Sequence, residues 1–223
     1  MKKDDYIDHL AQVGDDYIKS DEIKIIKISE KSKKFLEKIY ERIVFNNQQL
    51  LNQSYTPEFN FVKHNSPFLF SLPKGKFYFS TAIMAKYLKS EELFIAAFAA
   101  EIVRSQRAIY EKRQIYPTGV YTTERLIQLT RLKAETKQRV NEWTYFVLKR
   151  AGYDSTAYLN WIQTQNRNTL DFAFYLGDLY GISREEHLFK GFITKQGIVE
   201  GDRTFNESNS STNYYSLLQQ MAR

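Results

Sequence analysis

The stretch Ser90 to Arg107, S-E-E-L-F-I-A-A-F-A-A-E-I-V-R-S-Q-R, constrains this chain more than any other. Ten of the eleven residues from Leu93 to Val103 are apolar, and only Glu101 interrupts them. No strand-like alternation is present, and Ser90 followed by Glu91 and Glu92 has the form of a helix cap with acidic residues in the first turn. A helix that is apolar on every side must be buried, so this segment is expected to be the central rod of the core. Glu101 and Arg104 lie three residues apart on one face of it. A charge inside such a helix needs a partner or a function.

The remaining chain supplies what such a helix needs around it. Residues 1–20 read as a polar amphipathic helix with Tyr6, Leu10, Val13 and Ile18 on its buried face. Ile23 to Ile28 fits either a short strand or a helix lead-in. Between Ser32 and Asn52, Phe35, Leu36, Ile39, Ile43, Val44 and Leu50/Leu51 recur at helical spacing. From Pro57 to Ser80 the texture changes to aromatic runs punctuated by Pro67 and P-K-G-K, which predicts a few short strands and a small sheet. A helix from Thr81 to Lys89 precedes the central one. Pro117-Thr118-Gly119 marks a loop, and Thr122/Thr123 cap one long helix to Arg150, closed by Gly152. Two further helical stretches, 156–166 and 168–192, contain Gly177, Gly181 and Gly191 as weak points. Asn206 to Asn213 is polar, and a last helix from Tyr214 to Met221 would dock by Tyr215, Leu217 and Leu218. The fold class expected is mainly α with a small β-sheet. Residues 1–53 form an N-terminal helical region, 54–192 the core and 193–223 a C-terminal loop and helix, within one structural domain.

Composition excludes several functions. There are no cysteines, so disulfides and thiolate metal sites are ruled out. The net charge is +6, but basic and acidic residues are interleaved, as from Lys19 to Arg42, which suits a solvated surface and not a nucleic-acid face. No apolar run reaches the roughly 20 residues of a membrane span. The N-terminus M-K-K-D-D-Y has no apolar core of a signal peptide, so the chain reads as cytoplasmic as it stands, or extracytoplasmic if a leader has been removed. There is no glycine-rich phosphate loop and no G-x-S-x-G elbow. The carboxylate pairs Asp4/Asp5, Asp15/Asp16, Glu91/Glu92 and Glu185/Glu186 read as helix starts or solvated faces. The 16 Tyr and 16 Phe fall mostly at core spacing, so packing is their expected use.

Three blocks carry a family resemblance. N-S-P-F-L-F-S-L-P-K-G-K-F-Y-F-S-T (65–81) is similar to a passage N-A-F-A-L-P-G-G-x-I-x-V-x-x-G-L-L of the HtpX/BepA-type zinc metallopeptidases. K-S-E-E-L-F-I-A-A-F-A-A-E-I-V-R resembles that family's K-S-E-D-E-L-A-A-V-L-A-H-E-I-A-H. K-Q-R-V-N-E-W-T-Y-F-V-L-K-R-A-G-Y-D resembles its E-x-x-A-D-x-x-A-x-x-L-L-x-x-A-G-Y-D. The blocks occur in the family's order and together cover Pro57 to Tyr158. The resemblance implies a gluzincin, zincin-like fold around the central helix. Its zinc would be held by two histidines at i and i+4 and a later glutamate, with the motif Glu as general base.

In this chain those ligand positions hold Ala100, Arg104 and Lys137, and the supporting aspartate position holds Asn141; only Glu101 is retained. Alanine has no donor atom, and Arg and Lys repel a cation, so the family's zinc is expected to be lost and no cofactor is implied. His9, His64 and His187 show no i, i+4 spacing that would rebuild the site. Left without zinc, Glu101 pairs with Arg104, with Lys137 or with both, or else Arg104 points outward and Glu101 bonds elsewhere. The expectation is a catalytically inactive homologue, a pseudoprotease that binds a protein or peptide. In the family a substrate lies along a strand beside the active-site helix, which implies here an exposed edge at Lys76, Phe77, Tyr78, Phe79 and Ser80, unless the N-terminal region covers it. The alternative is an active metal-dependent peptidase with a rearranged site, using Glu101 as general base.

Overall fold

A computed structural model describes residues 3–51, 55–111, 115, 121–177, 179–197 and 210–222. The N-terminal half runs α1 (Lys3–Ile18), β1 (Ile25–Ile26), α2 (Glu30–Phe45), β2 (Glu58–Val62), β3 (Leu69–Leu72), β4 (Lys76–Ser80), α3 (Thr81–Lys86) and α4 (Glu91–Gln106). The C-terminal half is helical: α5 (Thr123–Thr130), α6 (Ala134–Arg150), α7 (Ala157–Arg167), α8 (Thr169–Leu176), α9 (Leu179–Lys195) and α10 (Thr212–Met221). The architecture is mainly α with one small mixed sheet. The Pro117–Gly119 loop and the first half of the polar stretch from Asn206 lie outside the described residues.

The apolar run is the central rod. Every residue of α4 from Leu93 to Gln106 is buried, and Ser90 Oγ caps its start by accepting from the Leu93 N–H at 3.2 Å. The sheet, in the order β1-β2-β4-β3, lies along one side of α4. β2 and β4 are parallel, and both outer pairings are antiparallel. Phe59, Phe61, Phe77 and Phe79 face α4, with the Phe77 and Phe98 rings 4.9 Å apart and Phe79 and Phe94 5.7 Å apart. Val62, Phe70, Leu72 and Tyr78 face the opposite way, onto Tyr6, Leu10, Val13 and Tyr17 of α1 and Leu126, Ile127 and Leu129 of α5. Both sheet faces are therefore covered, which is why these strands read as near-continuous apolar runs.

This layering corrects the expected peptide-binding edge. Lys76–Ser80 is an inner strand, hydrogen-bonded to β2 on one side and β3 on the other, with all five residues buried. Lys76 is charged, yet its Nζ is buried between Asp15 of α1 at 2.6 Å and Glu58 at 2.8 Å. The N-terminal helix does cover the strand, through that ion pair and the Tyr17–Tyr78 ring contact at 5.8 Å.

Other differences have local causes. Helix α2 stops at Phe45 and not near Asn52, because Asn46 Nδ2 donates to Arg42 O at 2.7 Å and Asn47 Nδ2 to Ile43 O at 2.8 Å, satisfying the last carbonyls. Tyr17, not Ile18, is the fully buried residue at the end of α1. The expected helix from Thr122 to Arg150 is two helices, broken at Arg131, whose backbone is extended. The break is held from outside: Arg104 Nη2 donates to Thr130 O, and Glu111 accepts from the Lys133 N–H at 2.7 Å. Gly177, at φ +74, separates α8 from α9 as a left-handed stop. Helix α10 buries Tyr214, Leu217 and Met221, leaving Tyr215 exposed. Among the described residues no helix is long and apolar enough to cross a membrane.

Candidate functional site

Three helices and a strand meet around Glu101. Helix α4 places Ala100, Glu101 and Arg104 on the side facing α6 and α7, and the other side of α4 is occupied by the sheet. Helix α6 brings Lys137 and Asn141 to the same place, and β3 contributes Ser71 and Leu69. A cavity of about 70 Å³ opens between them, lined by Ala100, Glu101, Arg104, Lys137 and Asn141. The five positions singled out by the resemblance, spread over some forty residues of sequence, thus share one recess.

The Glu101 carboxylate is fully engaged. Arg104 Nη1 donates to its Oε1 at 2.8 Å, and Ser71 Oγ lies 2.7 Å from its Oε2. The same hydroxyl is 3.1 Å from the Glu101 main-chain oxygen. Both ionic side chains are nearly dry, 8% exposed for Arg104 and 4% for Glu101. Burial alone would lower the Arg104 pKa, but the adjacent Glu101 charge outweighs it and holds the guanidinium well above its ordinary value. Tyr175 and Tyr110 border the pair. Burial pushes both phenols up; the Glu101 charge adds to this at Tyr175, while at Tyr110 the Arg104 charge opposes burial without overcoming it, so both stay neutral and can only donate or accept as hydroxyls. Tyr110 Oη donates to Ser71 O at 3.3 Å.

Lys137 does not join Glu101. Its ammonium is ion-paired with Glu185 of α9. Asn141 Nδ2 donates to Glu185 Oε1 at 2.7 Å, and Tyr158 Oη donates to Asn141 Oδ1 at 2.9 Å. Two separate units therefore meet at the cavity, Ser71–Glu101–Arg104–Thr130 and Tyr158–Asn141–Glu185–Lys137, with Ser71 and Glu185 supporting the lining residues from behind. Of the pairings open in the sequence, the one with Arg104 is present, and Lys137 is used elsewhere. Glu185 was read as part of a solvated face; it is 9% exposed and satisfies the second unit.

Ser71 and Glu185 are the site residues that sequence reasoning missed. Ser71 had a signal, being the one hydroxyl in the apolar run F-L-F-S-L. Glu185 had none, because its neighbours Arg184 and Glu186 give it the texture of a surface turn. The Lys76–Ser80 strand is outside this cavity, on the far side of β3 in the sheet order.

The residues present do not fit a zinc ion. The positions that would supply ligands hold a methyl group and two cations, and each Glu101 oxygen already accepts a hydrogen bond. No group of three or more His, Cys, Asp or Glu side chains is arranged to hold a metal among the described residues. His9, His64 and His187 lie on α1, after β2 and on α9; His64 Nδ1 accepts from the Ser66 N–H at 3.0 Å. Compared with models of known protein families and with curated protein sequences, the chain matches none.

Proposed function

We propose that this chain is a non-catalytic relative of the HtpX/BepA-type metallopeptidases, with a zincin-like core, that acts by binding a protein or peptide. One observation carries the reading. The retained general-base position, Glu101, is closed by Arg104 and Ser71 at 2.8 and 2.7 Å, while the residues standing at the ligand positions line the same cavity without offering a metal donor. A general base must present a free oxygen to a water within hydrogen-bond reach. Here both oxygens are directed at protein donors, so the carboxylate serves as the anchor of a helix junction. The catalytic alternative has no such support from the geometry. Partner binding would use the recess between α6 and its neighbours and not β4, which is paired on both sides.

The test is to incubate the protein with a pool of unfolded peptides, with and without a chelator, and to analyse both captured and cleaved species by mass spectrometry. Captured intact peptides with no new termini are expected. Cleavage that disappears with the chelator and with Glu101→Gln would overturn the reading.

A further inference from the structure

The cavity beside the ion pair holds more positive charge than its carboxylates neutralise. Three cations line it: Arg104, Arg131 and Lys137. Glu101 engages Arg104 and Glu185 engages Lys137, which leaves Arg131. Its guanidinium meets only main-chain oxygens, Nη2 that of Phe174 and Nε that of Tyr175 at 3.4 Å, and no carboxylate among the described residues. Burial pushes its pKa below the ordinary arginine value, as expected for a cation partly withdrawn from water with no carboxylate beside it among the described residues. Arg131 lacks a counter-charge but not acceptors; the unmatched donor is Arg104 Nε, which is buried with no hydrogen-bond acceptor among the described residues. Buried donors of this kind mark where an acceptor is missing.

The space around these donors is amphipathic. The inner cavity, about 70 Å³, has Leu69, Ile127 and Trp161 among its walls, and at ~10–15 Å³ for each water it could hold it takes a group of several heavy atoms. A second cavity of about 300 Å³ adjoins it between α6 and α9, sharing Leu132, Lys137, Asn141 and Leu176. Ile182, Leu188, Phe189 and Phe192 make its walls apolar, and the charges of Glu142 and Arg184 there offset each other. One end of the combined space is positive and the other greasy.

We propose that this combined cavity is a binding site for a monocarboxylate with an apolar tail, its carboxylate on Arg131 and Arg104 Nε and its tail between α6 and α9. A carboxylate supplies the missing counter-charge in charge-assisted bonds, and the tail removes apolar wall from water. The chemistry is shared by a medium-chain fatty acid and by the C-terminal residue of a peptide ending in an apolar side chain. The inference fills the recess assigned above to a partner and so rests on that binding reading, but the cavities and the two arginines it is argued from are independent of any peptidase ancestry.

Calorimetric titration with octanoate, octanol and octylammonium tests it, together with a short acetylated peptide ending in leucine, as free acid and as amide. Octanoate is expected to bind at least about tenfold tighter than octanol or octylammonium, the scale of one charged hydrogen bond. Arg131→Gln is expected to remove that preference. Because Arg131 also holds the end of α8, a second variant leaves it in place: Leu188→Trp fills the tail cavity and should weaken octanoate about tenfold while leaving propionate unchanged. A peptide acid that binds ahead of both its amide and octanoate identifies a chain terminus as the source, and octanoate binding ahead identifies a free fatty acid. Octanol binding as tightly as octanoate, or both variants binding octanoate like the parent, overturns the proposal.

Discussion

Arg104 closes on Glu101 one helical turn away, Nη1 to Oε1 at 2.8 Å, in a site where both side chains are almost free of water. A pair this dry is asymmetric in its energetics. Each charge is costly to bury, and their attraction offsets that cost only while both are present. Arg104→Met is therefore expected to cost about 3–5 kcal/mol, because it strands Glu101 and also frees the Thr130 carbonyl. The double variant Glu101→Leu/Arg104→Met should recover most of the loss, to within about 1–2 kcal/mol of the parent. Urea denaturation of the parent, both single variants and the double gives the coupling. Additive single losses would show that the two charges are not a unit.

The convergence of Ala100, Arg104 and Lys137 on one cavity gives the peptidase-like reading a constructive test. The variant combining Ala100→His, Arg104→His and Lys137→Glu restores two imidazoles at i and i+4 and a carboxylate on the facing helix, while leaving Glu101 in place. It is expected to purify with about one equivalent of zinc by elemental analysis, and the parent with less than about a tenth of one. Lys137→Glu sets a new carboxylate near Glu185, so the triple variant should be unstable without metal and be stabilised on adding it. A triple variant that folds and takes up no zinc would remove the zincin-like geometry from the proposal.

How much of this was legible in the sequence depends on where the deciding contact lies. The central helix could be read because its cause is local: eleven residues with ten apolar side chains can only be buried. The strands from Glu58 to Ser80 were likewise announced by their own aromatic texture. What failed was set by distant partners. The break between α5 and α6 has no glycine or proline; it is made by Arg104 from α4 and Glu111 from the preceding loop, which take Thr130 O and the Lys133 N–H. The burial of Lys76 on the inner strand β4 depends on Asp15, sixty-one residues earlier, together with Glu58 of the neighbouring strand. At the site, Glu101 with Arg104 was readable from i, i+3 spacing. The Lys137–Glu185 pair joins helices forty-eight positions apart and was not.

The contact between α1 and the sheet leads to a packing prediction. Gly14 faces Tyr78 so closely that a Cβ there would lie 2.3 Å from Tyr78 Oη and 2.9 Å from Leu72 Cδ1. Gly14→Ala is expected to destabilise by about 1–3 kcal/mol, overpacking outweighing the gain in helix propensity. The Tyr78 hydroxyl is buried with no hydrogen-bond partner among the described residues, so Tyr78→Phe should be neutral or mildly stabilising. In that background the next-nearest ring atom is 3.4 Å away. The cost of Gly14→Ala should then fall by at least about 1 kcal/mol. Thermal unfolding of the four proteins decides it, and an unchanged cost would place the strain at Leu72.

Alkaline pH should unfold the protein early and cooperatively. Burial raises Tyr17 and Tyr40 from the ordinary 10.0 to about 12, and holds Tyr78, Tyr158 and Tyr214 well above the ordinary value. For Lys76, desolvation acts downward, but its bonds to Asp15 and Glu58 outweigh it, so its value is also raised. All these groups hold their protons more tightly folded than unfolded. The stability they confer is complete below pH 10 and is lost as pH climbs from there through 12 and beyond, because the unfolded chain releases protons first. Following phenolate absorbance and circular dichroism together during a base titration, a fraction of the 16 tyrosines should ionise only as helicity collapses. Tyr78→Phe removes one of the raised groups without breaking a hydrogen bond, so its midpoint should move to higher pH. Tyrosines that all titrate near their ordinary value while the helical signal persists would contradict the burial of Tyr17 and Tyr78 between α1 and the sheet and of Tyr40, Tyr158 and Tyr214 around α4.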